Sequence, residues 1–543
     1  MWKSLFKQKA NSIAVAAILV AASSLVSRLL GLLRDRILAG QFGAGEQLDI
    51  YYAAFRVPDL LFNLIVLGAL SAGFIPIFSG LIKNSKDPKN APENKEAWLL
   101  ATNIINILSI FLIALSLIGI FLAPLFVRLI TPGFSPEAQF ETANLTRIMF
   151  LSPLFLGISG VLGGILQSFR RFFIYSLAPI LYNLGIIAGA LYFSNLWGLN
   201  GLAYGVVLGA FLHMAIQIPA VKILGYRYSF KIAWRDKATR QIGRLMIPRT
   251  MSLAITQIDL LVTTIIASGL AAGSLTIFNL ANNLQSFPVG IFGVSFAIAA
   301  FPALSQNAFD LKKLEASFSS TMRQILFFVI PATVFLITLR AQIIRVILGS
   351  GAFNWQDTIL SMNTLALFSI SLFAQASAPL LVRVFYARHN SKTPFYLGIF
   401  TVTANVILSI LLAKRMGVAG LALAFSISSI LNFILLWGWL HFKVGDLGIS
   451  KISASALKFS ASAVGAGIVI QLMKLVVWPF IDMTTFLGVF VQLGASVIFG
   501  IAAYGVFCYL FGAEELTTFL DAIARRLSFK KLPIDDSSEA RGN

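Results

Sequence analysis

The sequence predicts an all-α, polytopic membrane protein of about fourteen transmembrane helices, and three observations carry that reading. Apolar stretches long enough to cross a bilayer follow one another through nearly the whole chain. The composition is 58% hydrophobic and only 12% charged, with a mean hydropathy of +0.85, where a soluble domain carries about twice that charge. Third, the basic residues sort by loop. Of 42 Lys and Arg, about 31 fall on one side, while the other receives Arg128, Arg147, Arg340, Arg345, Lys414, Arg415 and Lys474. The positive-inside rule then puts both termini in the cytoplasm, which requires an even number of spans. The net charge of +20 faces anionic headgroups, and no nucleic acid is needed to explain it.

Residues 1–12 are read as a cytoplasmic N-terminus carrying Lys3, Lys7 and Lys9. The apolar run behind them continues past Ala22, which marks an uncleaved first helix rather than a signal peptide. Spans are expected near 13–39, 48–81, 97–127, 140–168, 175–195 and 201–222, forming an N-lobe over 13–228. Six more, near 246–270, 275–305, 321–347, 358–386, 394–413 and 418–441, form a C-lobe over 229–446. The lobes echo one another. Gly73 to Ser79 is matched by Ala300 to Ser305, and Phe169–Pro179 with Gly198–Ala203 by Phe385–Pro394 with Gly417–Ala422. The offset of about 216–226 residues, six spans, preserves orientation, so two parallel repeats can rock about a site between them. Spans near 455–478 and 486–511 lie outside the repeat, in a C-terminal pair over 447–512. A cytoplasmic amphipathic tail, 513–543, suits an interfacial helix, and the 83–96 loop reads as a solvated connection.

Charge inside the first two spans points to function. Arg28 sits about 24 Å along a helix entered near Ser12, well inside a core of about 30 Å. Ionisable groups at that depth face a polar cavity or a partner. Arg28 and Asp35 share a face seven residues apart, with Arg34 about a third of a turn away. Arg56, Asp59 and Asn63 form a stripe on span two; Thr256, Asp259 and Thr263 do so on span seven, and Asn279, Asn282, Asn283 and Ser286 on span eight. Such stripes either line a cavity or bond neighbouring helices together. Arginines in a cavity suit a phosphate or pyrophosphate, whose oxygens accept the guanidinium fork. Asp259, with Thr263 and Asn405, forms a candidate site for Na⁺ or H⁺ as a coupling ion, and no other cofactor is expected. The lone Cys508 excludes an intrachain disulfide, and His213, His389 and His441 read as packing or interface residues. No carboxylate pair or metal cluster suggests an enzyme.

The residues also carry a resemblance. Ser27-Arg28-Leu29-Leu30-Gly31-Leu32-Leu33-Arg34-Asp35, then Phe42-Gly43-Ala44-Gly45, Asp49 and Phe55-Arg56-Val57-Pro58, resemble the opening of the MurJ/MviN family of lipid II flippases. Phe385-Tyr386-Ala387 and Lys392-Thr393-Pro394 resemble its later signature. The resemblance implies a flippase of the multidrug/oligosaccharidyl-lipid/polysaccharide exporter superfamily. Such a protein moves undecaprenyl-pyrophosphate-linked peptidoglycan precursor from the cytoplasmic to the outer leaflet of the bacterial plasma membrane by alternating access. It implies that Arg28 and Arg34 engage the pyrophosphate, that Asp35 positions an arginine, that Asp49 acts at an outer gate, and that the last two helices shape a groove for the lipid tail. Arg56, Asn63 and Asn283 join the substrate-binding set. Expected partners are lipid II, membrane lipids and cell-wall synthesis proteins. This chain departs from the family at Phe62 and Asn63, at Asn283, and at Thr263 and Ser409, where the family has basic residues, an arginine and aspartates respectively. A flippase for another polyprenyl-linked glycan and a non-transporting cell-envelope scaffold are the alternatives.

Overall fold

Helices make up nearly all of the described residues, 13–67, 73–82, 95–230 and 232–527 of a computed structural model, and no strand occurs among them. The N-terminal segment 1–12, most of the 83–96 loop and the tail beyond Leu527 lie outside the described residues. In chain order the helices are α1 (Ile13–Phe42), α2 (Glu46–Leu61), α3 (Ile75–Leu81), α4 (Lys95–Ile130), α5 (Pro136–Ser168), α6 (Phe172–Trp197), α7 (Leu199–Ile223), α8 (Lys237–Ser268) and α9 (Ser274–Gln306). They continue as α10 (Leu311–Thr338), α11 (Arg340–Ile347), α12 (Trp355–Ser369), α13 (Leu372–Ala387), α14 (Lys392–Met416), α15 (Val418–Val444), α16 (Ile449–Phe480), α17 (Phe486–Leu510) and α18 (Glu514–Leu527).

Among the described residues ten helices are long and apolar enough to cross a bilayer, or eleven if α12 and α13 form one broken span, rather than fourteen. The three expected spans outside that set are α1, α2 and α8, the helices that carry Arg28, Arg34, Asp35, Arg56, Asp59 and Asp259. Polar side chains lower the hydropathy of a helix that faces a cavity instead of lipid. The expected span 321–347 also ends early. Helix α10 stops at Thr338, and Arg340–Ile347 is a separate short helix whose two arginines flank its apolar residues.

The chain divides into two compact units. The first comprises the residues up to Ser286 with Arg340–Ser371 and Lys392–Asn432. Helices α6 and α7 meet there along Gly185 and Gly189 on one side and Gly201, Gly205 and Gly209 on the other, the small-xxx-small spacing that lets two backbones touch. A Cβ on Gly205 would lie 2.5 Å from the Gly189 Cα, and no side-chain rotation relieves a clash with backbone. Gly205→Leu is therefore expected to destabilise the protein by at least about 1–3 kcal/mol, read as a lower melting temperature in detergent. A second device sits in α2. Pro58 has no N–H for the Ala54 carbonyl, and the Thr146 hydroxyl of α5 lies 3.4 Å from that oxygen. Beyond Pro58 the helix widens into a π-turn over Phe62–Leu67.

The second unit comprises Phe287–Leu339, Leu372–Ser391 and the chain from Phe433 onward. In it Pro331 leaves the Phe327 carbonyl without its helical donor, and the Tyr504 hydroxyl of α17 donates to it at 2.8 Å. Phe327 packs on Phe459, Tyr504 and Phe519, which joins α10, α16, α17 and α18. Glu515 at the start of α18 is buried and pairs with Arg323 at 2.5 Å. The amphipathic tail helix expected from the sequence is thus anchored at its first turn.

Candidate functional site

A polar cavity of about 460 Å³ lies within the first unit. Its wall includes Arg34 and Leu38 of α1, and Tyr51, Tyr52, Arg56, Asp59, Phe62 and Asn63 of α2 with its π-turn. Tyr182 of α6, His213 of α7, and Asn279 and Asn283 of α9 complete the polar lining. Ten of its residues carry polar or charged side chains in a chain that is otherwise apolar, which is the mark of a solvated or ligand-binding chamber.

Each guanidinium is held in place. Arg34 donates from Nε and Nη2 to Asp35 Oδ1 at 3.0 and 2.8 Å, and from Nη1 to Asn183 Oδ1 at 3.2 Å. Three of its five N–H groups are thereby used and two remain for a ligand. Asp35 is almost fully buried, and its other oxygen accepts from Asn283 Nδ2 at 3.0 Å. The helical spacing puts Arg28 on the Asp35 face, and the resemblance has Asp35 position an arginine. Asp35 pairs with Arg34, whose long arm swings back across the interval between adjacent residues. Arg28 is exposed and does not line this cavity. Arg56 donates from Nε to Thr264 Oγ1 and from Nη2 to Asn279 Oδ1, both at 2.8 Å. Asp59 lies one turn further along α2, and its backbone carbonyl accepts from Asn63. The formal charges nearly cancel: Arg34 and Arg56 stand against Asp35 and Asp59.

His213 belongs to the wall rather than to apolar packing. Its Nδ1 lies 2.6 Å from the Ser159 hydroxyl, which also accepts from Gln217 Nε2 at 2.5 Å. The Ser159 hydroxyl also donates to the His213 carbonyl at 3.1 Å, so His213 is tied to α5 through both its Nδ1 and its own backbone. Tyr51, Tyr52, Tyr182, Asn183 and His213 were not in the set read from sequence. For Asn183 the signal was a lone amide inside an apolar span; the tyrosines and His213 gave none that separates wall from packing.

Inter-helix contacts flank the cavity on both sides along α2. At the end that carries Gly43, Asp49 is buried and accepts from the Gly273 N–H and the Thr276 N–H, both at 2.7 Å, and from the Thr276 hydroxyl at 2.6 Å. A carboxylate from α2 thus caps the positive N-terminus of α9. Beside it, Ala352 N–H donates to the Gly40 carbonyl at 2.8 Å, and Ala44 N–H to Asp357 at 3.3 Å. Gly43 turns the chain with φ +67, and a Cβ there would meet the Ala352 carbonyl at 3.0 Å. At the opposite end Thr250 Oγ1 donates to the Leu64 carbonyl of the π-turn at 2.9 Å, and Gly73 abuts Ile242.

A third constellation lies on α8 and α14. Asn405 Nδ2 donates to Asp259 Oδ1 at 2.7 Å, while Asn405 Oδ1 is buried with no hydrogen-bond partner. Thr263 and Ser409, each four residues further along its helix, are buried too. In the second unit, Met322, Leu326, Ile330 and Val334 of α10, Phe433, Ile434 and Trp437 of α15, and Ile452, Ala456 and Val464 of α16 line an apolar groove of about 690 Å³. Helix α17 packs beside α16 without lining the groove.

Long apolar helices around a polar chamber are the architecture of a membrane transporter, and known structures agree. The fold is similar to that described as an inward-facing conformation of a multidrug resistance MATE family transporter of the MOP superfamily, with a TM-score of 0.63, 16% identity, and 81% of this chain and 98% of that one covered. Likeness is greater to the structure described as lipid II flippase MurJ in its inward closed conformation: TM-score 0.73, 26% identity, 91% and 98% covered. Among curated relatives, the probable lipid II flippase MurJ of Vibrio cholerae serotype O1 is 30% identical over 515 residues, 91% of this chain and 94% of the relative. Residues 38–491 match the family model described as lipid II flippase MurJ, and the chain belongs to the MurJ family.

Proposed function

We propose that this protein is a lipid II flippase, moving the undecaprenyl-pyrophosphate-linked peptidoglycan precursor from the cytoplasmic to the outer leaflet of a bacterial plasma membrane. The observation that carries this reading is a family match over 38–491 enclosing a chamber whose two guanidiniums keep N–H groups free. The cargo's diphosphate meets Arg34 and Arg56 in the chamber of the first unit. The protein rearranges no covalent bond. It binds the head, opens one end of the chamber and then the other. The basic loops place both termini in the cytoplasm, so the Gly43 end faces outward. Purified protein in proteoliposomes should move fluorescent lipid II across the bilayer, and its gene should sustain growth of a strain depleted of its own lipid II flippase. Failure of both rejects the reading.

One observation favours a second cargo. The near-balance of charge, with Phe62, Asn63 and Asn283 where the family has basic residues, leaves little net attraction for a dianionic head. A different polyprenyl-linked glycan fits such a chamber, and competition between lipid II and other polyprenyl-pyrophosphate glycans in the same liposomes separates the two.

The charge balance also gives a coupling ion a purpose. Asp259, Asn405 Oδ1 and Thr263 present hard oxygen donors, and the orphaned Asn405 oxygen fits a site completed by Na⁺ or a proton. Asp259→Asn keeps an acceptor for Asn405 and is expected to leave protein abundance unchanged while removing the dependence of flipping on an imposed Na⁺ or pH gradient. Gradient dependence equal to that of the parent rejects this role.

A further inference from the structure

The segment between α7 and α8 has no part in the chamber, yet it is held in place by buried polar groups. Asn103 of α4 accepts from the Ala233 N–H at 2.7 Å and donates to the Ala233 carbonyl at 3.0 Å, as a neighbouring strand would. Asn106 donates to the Ser229 carbonyl at 3.1 Å, and Tyr226 turns inward onto Trp98 with ring centroids 5.7 Å apart. Amides are costly to bury unpaired, so two of them on one helix face make this a built attachment. On its outer side Tyr228, Phe230, Ile232 and Trp234 are all exposed, at 61, 73, 37 and 57%. Around them stand six exposed basic side chains: Lys222, Arg227, Arg235, Lys237, Arg240 and Arg244. The one acid among them, Asp236, is occupied in capping α8 through the Thr239 N–H at 2.8 Å.

Helix α4 itself gives the depth. Its exposed apolar strip runs from Ile110 to Leu129, about 28 Å at 1.5 Å per residue, which matches a hydrocarbon core of about 30 Å. Asn106 and Asn103 lie about 6 and 10 Å beyond that strip, where headgroups begin and end. An aromatic face flanked by cations at headgroup depth is the chemistry of an interfacial lipid contact. We propose that residues 226–230 and 232–235 form a docking site for anionic phospholipid of the cytoplasmic leaflet, the aromatic side chains seated at the headgroup boundary and the flanking arginines on the phosphates. The leaflet assignment rests on the orientation given above; the lipid contact does not.

The test uses the full chain in nanodiscs, whose two faces are alike, so it reads the contact independently of orientation and of transport. Cys508, which is buried, is replaced by Ala, and Ile232→Cys carries an environment-sensitive fluorophore. Quenching is compared for phosphatidylglycerol and phosphatidylcholine brominated high on the acyl chain. Phosphatidylglycerol is expected to quench more strongly, by about fivefold for each arginine in contact. Arg227→Gln with Arg235→Gln should remove that preference at an unchanged melting temperature, and Trp234→Ser should weaken quenching by both lipids. Equal quenching by the two lipids in the parent overturns the proposal, as does a preference that survives loss of both arginines. So does a label reached by aqueous iodide and by neither lipid, the result expected of a face that awaits a soluble protein.

Discussion

Replacing Arg34 by alanine is expected to abolish transport and, on its own, to lower the amount of folded protein. The first effect follows from the two N–H groups that Arg34 keeps after bonding Asp35 and Asn183. The second follows from Asp35, whose almost fully buried carboxylate would retain Asn283 as a partner and no countercharge. Removing one member of a buried pair costs about 3–5 kcal/mol, since the other charge stays desolvated and alone. Adding Asp35→Asn to Arg34→Ala takes that charge away and should return abundance close to the parent's while transport stays absent. Arg34→Lys keeps a cation beside Asp35 and should fold, but it presents a point charge in place of a fork and should restore transport poorly. Measuring abundance and complementation across the three variants separates ligand binding from an ion pair that only holds helices together. A double variant that complements removes Arg34 from the cargo site.

Much of this chamber could be read in the sequence because membrane helices make polarity expensive. Arg34, Arg56, Asp59 and Asn283 stood out in apolar runs, and all four line the wall. Which arginine meets Asp35 was not legible. Seven-residue spacing put Arg28 beside Asp35 on one helix face, but a guanidinium on a flexible stem reached across from position 34. Periodicity locates where Cβ atoms point and is silent on where a long side chain ends. His213 and the tyrosines were hidden for another reason: each is as common in packing as in a chamber wall, and its role depends on neighbours such as Ser159 and Gln217 that come from other turns. The break between α12 and α13 and the early end of α10 were lost within continuous hydrophobicity, which marks membrane residence and leaves helix ends unmarked. The groove on α10, α15 and α16 required tertiary structure outright, since its lining is as apolar as any lipid-facing surface.

Asp49→Ala is expected to open the Gly43 end of the chamber and to stop transport. This carboxylate receives two backbone N–H groups and one hydroxyl, and it faces the positive end of α9. Without it those donors stay buried and unpaired, at about 1–3 kcal/mol each, whereas in an open chamber water satisfies them. A differential loss of about 3 kcal/mol shifts the closed-to-open ratio by about a hundredfold, far more than a structural cap on a helix fixed in both states would. Ala53, one turn further along α2 and fully buried, reports the change. In a Cys508→Ala background, Ala53→Cys should resist a membrane-impermeant thiol reagent when Asp49 is present and react readily with Asp49→Ala. Asp49→Glu keeps the charge on a longer arm that fits the same donors less well, and should fall between the two. If the variant folds and Ala53→Cys stays protected, the carboxylate is a helix cap alone and the gate is held by the Gly40–Ala352 and Ala44–Asp357 contacts.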